Sequence, residues 1–226
     1  MADRTALIFD LDGTLIDSAP DIHAAANKVF SSKGLDPFPF EVVRGFIGNG
    51  VGVLVSRLLA ERGLESDGPL QAAMVRDFIN LYEEAHDLTV LYPGVAEALT
   101  DLHRAGYPLG ICTNKPASPA LAVLKHFGLD GFFDVVIGGD SLAVRKPHPD
   151  PLFAACAALH TTRMIFIGDS EVDAETAHAA GVPLALFSGG YRKAAPESLG
   201  ARLIFDHHAA LPRLIAQLID RLVPEL

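Results

Sequence analysis

Residues 6–18, Ala6-Leu7-Ile8-Phe9-Asp10-Leu11-Asp12-Gly13-Thr14-Leu15-Ile16-Asp17-Ser18, decide the fold. The apolar run Ala6 to Phe9 reads as a buried parallel strand. It ends in two carboxylates, Asp10 and Asp12, followed by a Gly13-Thr14 turn. Residues two apart in an extended chain face the same side, so both carboxylates can converge on one small volume. Like charges that close are unfavourable unless a cation lies between them or one carboxylate holds a proton. Either solution serves catalysis. A hard cation such as Mg²⁺ takes oxygen ligands, and a protonated aspartate is a general acid. Gly13 lets the chain turn away at once. Taken alone, the stretch also fits a plain strand followed by an acidic loop.

Three later segments complete a pattern. Thr113-Asn114-Lys115, Arg145-Lys146-Pro147 and Gly168-Asp169-Ser170-Glu171-Val172-Asp173 each follow an apolar strand. Open α/β sheets place their sites at such carboxyl ends. Asp10-x-Asp12-Gly-Thr, Thr113, Lys146-Pro and Gly-Asp169-x-x-x-Asp173, in that order, resemble the motifs of the haloacid dehalogenase superfamily. The resemblance spans most of the chain. It implies a Rossmann-like parallel sheet with a small helical cap inserted after the first strand.

Composition narrows the class. The chain has 226 residues, half of them hydrophobic, enough for one large domain or two small ones. Its formal net charge of −10 argues against nucleic acid or an anionic membrane as main partner. An anionic substrate is still allowed, because a metal ion and a few basic residues can make the local field positive. The only cysteines, Cys112 and Cys156, form no CxxC spacing and suggest no disulfide framework. Met1-Ala2-Asp3-Arg4 runs straight into the first strand, with no signal peptide and no apolar run of spanning length. Together these features point to the cytoplasm.

Along the chain, Ser18 and Asp21 suggest a capping box opening a helix with Ile22, Ala26, Val29 and Phe30 on its apolar face. Val51, Leu54, Val55, Leu58 and Leu59 make a second face; Leu70, Met74, Phe78, Leu81 and Ala85 make a third. After Tyr92-Pro93-Gly94 strands and helices alternate: strand 107–112, a helix capped by Ser118 and ending at Gly128, strand 135–137, helix 151–159, strand 164–167, helix 171–180, strand 184–187, a short strand 203–205 and a terminal helix 211–222. The expected fold class is α/β. Residues 1–17 and 90–226 form the core, and residues 18–89 form a four-helix cap. The hinges fall at 15–20 and 87–93.

The resemblance carries a mechanism. Asp10 is the nucleophile, attacking phosphorus to give an aspartyl-phosphate. Asp12 protonates the leaving alkoxide and then takes a proton from water. Mg²⁺ is held by Asp10, the backbone carbonyl of Asp12, Asp169 and, directly or in the outer shell, Asp173. Thr113 and Asn114 hold phosphoryl oxygens, and Lys146 neutralises nucleophile and phosphate. Arg44, Gly48 and Asn49, in the loop Arg44-Gly45-Phe46-Ile47-Gly48-Asn49-Gly50, are the substrate-binding candidates of the cap, with Arg44 suited to a carboxylate. That loop also reads as an ordinary glycine-rich turn. An aspartate at position 12 favours a phosphatase or phosphomutase over a dehalogenase. The stretch from Gly168 to Pro183, with Gly190-Tyr191-Arg192, resembles bacterial phosphoglycolate phosphatases, which implies 2-phosphoglycolate as the small anionic substrate of a monomer or homodimer. The alternatives are a broader sugar-phosphate or nucleotide phosphatase, a β-phosphoglucomutase-like mutase, and a phosphate-binding regulatory domain. Lys115 either reaches phosphate or is solvated. The nine histidines are scattered and read as structural or surface residues, and Cys112 reads as a buried inert thiol.

Overall fold

A computed structural model describes residues 4–83 and 85–222; Met1, Ala2 and Asp3 of the amino-terminal reading lie outside them. Six strands form one parallel sheet: β1 (Thr5–Phe9), β4 (Leu109–Cys112), β5 (Val135–Ile137), β6 (Arg163–Gly168), β7 (Leu184–Phe187) and β8 (Leu203–Phe205). Their spatial order is β5-β4-β1-β6-β7-β8. The chain leaves β1 on one side for β4 and β5, then returns to β6 on the other. That reversal makes the carboxyl end of β1 the switch point where such sheets hold ligands. Register levels the three central strands, since Phe9 sits opposite both Ile111 and Ile167.

Side-chain alternation builds a core on each face of the sheet. Leu7, Phe9, Ile111, Ile165 and Ile167 pack on one side. There they meet α5 (Val95–Arg104), α6 (Ala117–His126) and α9 (Leu211–Leu222). Ala6, Ile8, Cys112 and Phe166 pack on the other side against α7 (Asp150–Ala158) and α8 (Glu171–Ala180). Each fully buried Leu, Ile or Phe contributes about 1.5–3 kcal/mol of transfer free energy.

Between β1 and α5 the chain makes β2 (Ile16–Asp17), four helices and β3 (Val90–Leu91). The helices are α1 (Ala19–Ser32), α2 (Phe40–Arg44), α3 (Val51–Glu61) and α4 (Pro69–Tyr82). They bury a separate cluster that includes Phe30, Val43, Leu58, Met74 and Phe78. Leu70, expected on that face, is exposed, and Tyr82 takes a buried place on the stripe instead. The strands β2 and β3 pair antiparallel, Ile16 with Leu91 and Asp17 with Val90. They close the insertion at its base.

Two expected caps are built differently. Ser18 precedes α1, but its hydroxyl donates to Asp12 at 2.6 Å, and Asp21 accepts from the Leu88 amide and the Thr89 hydroxyl. The Tyr191 hydroxyl takes the Ser18 and Ala19 amides, so no capping box is needed there. Helix α6 begins at Ala117, ahead of the Ser118 expected to cap it, and Asp140 accepts the Ala117 amide at 2.8 Å.

Candidate active site

The four motif segments meet at the carboxyl ends of β1, β4 and β6. Asp10 follows β1 directly, and its amide donates to the Ile167 carbonyl at 2.8 Å. Asp10, Asp169 and Asp173 are all buried, with carboxylate oxygens within 4.8 Å of one another. The Lys146 ammonium lies 2.9 Å from Asp10 and 2.7 Å from Asp173. Lys146 is held charged, because the Asp10 and Asp173 carboxylates outweigh the burial that opposes it.

Each carboxylate is aimed by its own partners. Asp169 accepts from the Thr14 hydroxyl and the Tyr191 amide, both at 2.7 Å. Asp173 turns one oxygen to Lys146 and the other to the Asp169 and Ser170 amides and the Ser170 hydroxyl. It thus closes the capping box of α8 as it lines up the cluster. Gly168 and Gly190 make room: a Cβ would lie 2.5 Å from Asp173 and 2.1 Å from Asp169, respectively.

One lysine does not balance three buried carboxylates. Burial, reinforced by the Asp173 and Asp12 charges and opposed by Lys146, pushes Asp10 up to about 7. Burial and the Asp173 charge push Asp169 well above the carboxylate range. A divalent cation among these oxygens would restore both to their charged forms. An all-oxygen donor set of this charge fits Mg²⁺.

Asp12 turns elsewhere. Its carboxylate receives the Ser18 hydroxyl at 2.6 Å and the Lys115 ammonium at 3.3 Å, and it lies outside the acidic trio. Asp10 and Asp12 both line a cavity roofed by Ile22, Val51, Leu54 and Phe78. Thr113 and Asn114 also line it. The Thr113 hydroxyl accepts the Lys115 amide, while the Asn114 side-chain amide donates to the carbonyls of Gly48 and Lys146. Asn114 thereby ties the 44–50 loop to the sheet. Gly48 and Gly50 reach the cavity; Arg44 and Asn49 are not among its lining residues. Arg44 instead donates to the Gly190 carbonyl at 3.0 Å and lies over the Tyr191 ring.

The sequence profile of haloacid dehalogenase-like hydrolases matches residues 7–187. The chain belongs to this hydrolase family. A phosphoglycolate phosphatase of Cereibacter sphaeroides (strain ATCC 17025 / ATH 2.4.3) is 48% identical over 214 residues, covering 94% of this chain and 98% of that one. One from Cupriavidus necator is 41% identical over 93% of each. Among solved structures, a predicted phosphoglycolate phosphatase from Haemophilus somnus 129pt superposes with TM-score 0.87 at 32% identity, covering 95% of this chain and 99% of that one. The CbbY protein of Rhodobacter sphaeroides, solved with phosphate, superposes with TM-score 0.76 at 26% identity, covering 92% and 96%.

Two residues of this hydrolase that sequence reasoning gave no role connect its parts. Tyr191, quoted only within a resembling stretch, holds Asp169 through its amide, and its hydroxyl accepts from Ser18 and Ala19 and donates to Asp17 at 2.9 Å. Tyr82, at the end of α4, accepts from Lys115 at 2.5 Å. Tyr82 sits in a segment with no motif spacing, and only its burial beside a charged neighbour marks it.

Proposed function

We propose that the chain hydrolyses 2-phosphoglycolate to glycolate and phosphate, with Mg²⁺ bound, through a phosphoryl group carried on Asp10. The chain is a phosphoric monoester hydrolase; the finer reading concerns its substrate and its steps. The observation that carries the steps is that Asp10 and Asp12 open onto one cavity while their carboxylates are held for different tasks. Asp10 is clamped to Lys146, whereas Asp12 is held by Ser18 and Lys115. The curated relatives named above support the substrate.

In the first step an Asp10 oxygen bonds to phosphorus as the ester bond breaks, and Asp12 gives its proton to the departing glycolate oxygen. In the second, water attacks phosphorus, Asp12 takes its proton, and the bond to Asp10 breaks. Lys146 and Thr113 face the charge that spreads over the phosphoryl oxygens. Mg²⁺ would be held by Asp10, the Asp12 carbonyl and Asp169, with Asp173 beside it, and supplies positive charge to those same oxygens.

We assign residues 18–89 to a cap that closes over the phosphoryl group and excludes water, turning about the β2–β3 pair. The core is then 1–17 and 90–226. The Gly48 carbonyl accepts from the Asn114 side-chain amide, which links cap position to the loop after β4 that carries Thr113; with its other N–H on the Lys146 carbonyl, Asn114 acts as a tether rather than as a phosphoryl ligand. We place the reaction in the cytoplasm, a reducing compartment that suits two buried, free cysteines. No helix of the described residues is long and apolar enough to cross a membrane.

The test is phosphate release from 2-phosphoglycolate, glucose phosphates and nucleotides in Mg²⁺ and in chelator. Preference for 2-phosphoglycolate, lost in chelator, is expected. Equal rates across the panel would remove the substrate assignment, and undiminished rates in chelator would remove the metal.

A further inference from the structure

If the substrate is 2-phosphoglycolate, the cavity must neutralise a carboxylate as well as a phosphate. An unpaired carboxylate against an apolar wall is strongly disfavoured. Of the described residues lining the cavity, Lys115 is the one cation. Its side chain is 4% exposed, so its charge is directed inward. The ammonium has three N–H donors. One goes to Asp12 at 3.3 Å and one to the Tyr82 hydroxyl at 2.5 Å. The third has no acceptor among the described residues.

Geometry then locates the carboxylate. Asp12 must touch the ester oxygen in order to protonate it. In 2-phosphoglycolate a single methylene separates that oxygen from the carboxylate. A cation in contact with Asp12 therefore sits beside the substrate's second anionic group. Of the cations near the cap loop, Arg44 is occupied by Gly190 and the Tyr191 ring, Arg57 and Lys193 lie over the Phe46 ring, and Arg145 stands beside Gly50 without lining the cavity.

We propose that Lys115 is the carboxylate anchor of the site and selects short 2-phosphorylated acids, with Tyr82 of the helical insertion and Asp12 of the sheet fixing its ammonium between them. The inference rests on the 2-phosphoglycolate reading. It gives that reading a residue: the roof (Ile22, Val51, Leu54, Phe78) offers nothing polar to a longer, hydroxylated chain, while Lys115 offers one charge at the distance of one methylene.

The experiment compares kcat/KM for 2-phosphoglycolate and for ethyl phosphate, which lacks the carboxylate, in Mg²⁺. The unmodified enzyme should prefer the acid. Lys115→Met should lower the ratio of the two values at least about 30-fold, mainly through KM for the acid. Tyr82→Phe should lower it about 3- to 10-fold in the same direction. A Lys115→Met enzyme that loses both activities by the same factor, leaving the ratio unchanged, would show that Lys115 acts only through Asp12 and would overturn the proposal. If Lys115→Met does not fold, an unchanged ratio in Tyr82→Phe overturns it instead. A wild-type enzyme with no preference for the acid overturns the substrate reading itself, a failure visible before any variant is made.

Discussion

The floor and the roof of the cavity are built on opposite principles. The floor, which Asp10 and Asp12 line, rests on a buried cluster of Asp10, Asp169, Asp173 and Lys146 in which Lys146, Thr14, Tyr191 and Ser170 aim the carboxylates. The roof is apolar, with Ile22, Val51, Leu54 and Phe78, and the Tyr82 hydroxyl at its edge. Floor geometry is held by short directional bonds, so a small displacement is felt at once. The roof is held by side-chain packing within the helical layer and meets the floor through a few contacts. They include Tyr82 on Lys115, Gly48 on Asn114, Arg44 on Gly190, the Ser18–Tyr191 pair and the His86–His126 rings. Under the proposed function, a rigid floor beneath a separately cored roof divides the work: phosphoryl chemistry below, choice of leaving group above.

Substitutions can break this contrast, from the floor outward. Asp10→Asn keeps the shape and removes the nucleophile, and turnover should fall at least about 10⁴-fold. Near-normal phosphate release from that variant would remove the floor's central assignment. Lys146→Ala should cost about 10²–10³ in kcat. Its melting temperature should also drop in chelator, because two buried carboxylates lose their counter-charge.

Gly13→Ala tests how tightly the floor is held. Gly13 has φ +89°, and a Cβ there would stand 2.6 Å from an Asp169 oxygen and 2.8 Å from the Tyr191 ring. The Mg²⁺ concentration for half-maximal activity should rise about 10- to 100-fold. An unchanged metal requirement would mean that Asp169 does not hold the ion.

The smallest effect is expected where floor and roof join. Tyr191→Phe removes the acceptor of two helix amides and a donor to Asp17 but leaves the backbone bond to Asp169. It should lower stability by about 1–3 kcal/mol and turnover only severalfold. A loss as large as that of Lys146→Ala would place Tyr191 in the floor.

Legibility in the sequence followed the same division. Asp10 and Asp169 stand just after buried strands, where runs such as Ala6–Phe9 and Met164–Ile167 are unmistakable, and parallel register brings them together. Lys146, nine residues past β5, and Asp173, in the first turn of α8, are not fixed by strand ends, and the roles proposed for all four come from the resemblance of the motifs. The helix 171–180 and strands 135–137 and 184–187 match the observed bounds, with Gly181, Gly138 and Pro183 marking an end of each. The roof was less legible. Helical periodicity located its apolar faces but placed Leu70 inside, where Tyr82 belongs. Arg44 is a substrate-binding candidate on sequence, beside the plain-turn alternative, because sequence gives no direction to a loop side chain; it turns to Gly190 and the Tyr191 ring. Ser18 and Asp21 had the spacing of a capping box, but tertiary partners, Asp12 and Thr89, took their side chains. Local hydrogen-bond patterns lose to long-range ones wherever burial makes the latter stronger.

The proposed chemistry requires Asp10 to carry the phosphoryl group between two in-line displacements. The most direct test is the steric course at phosphorus, using 2-phosphoglycolate made chiral there with sulfur and oxygen isotopes. Two displacements invert twice, so net retention is expected in the released thiophosphate. Net inversion would mean a single attack by water, and Asp10 would not be the nucleophile.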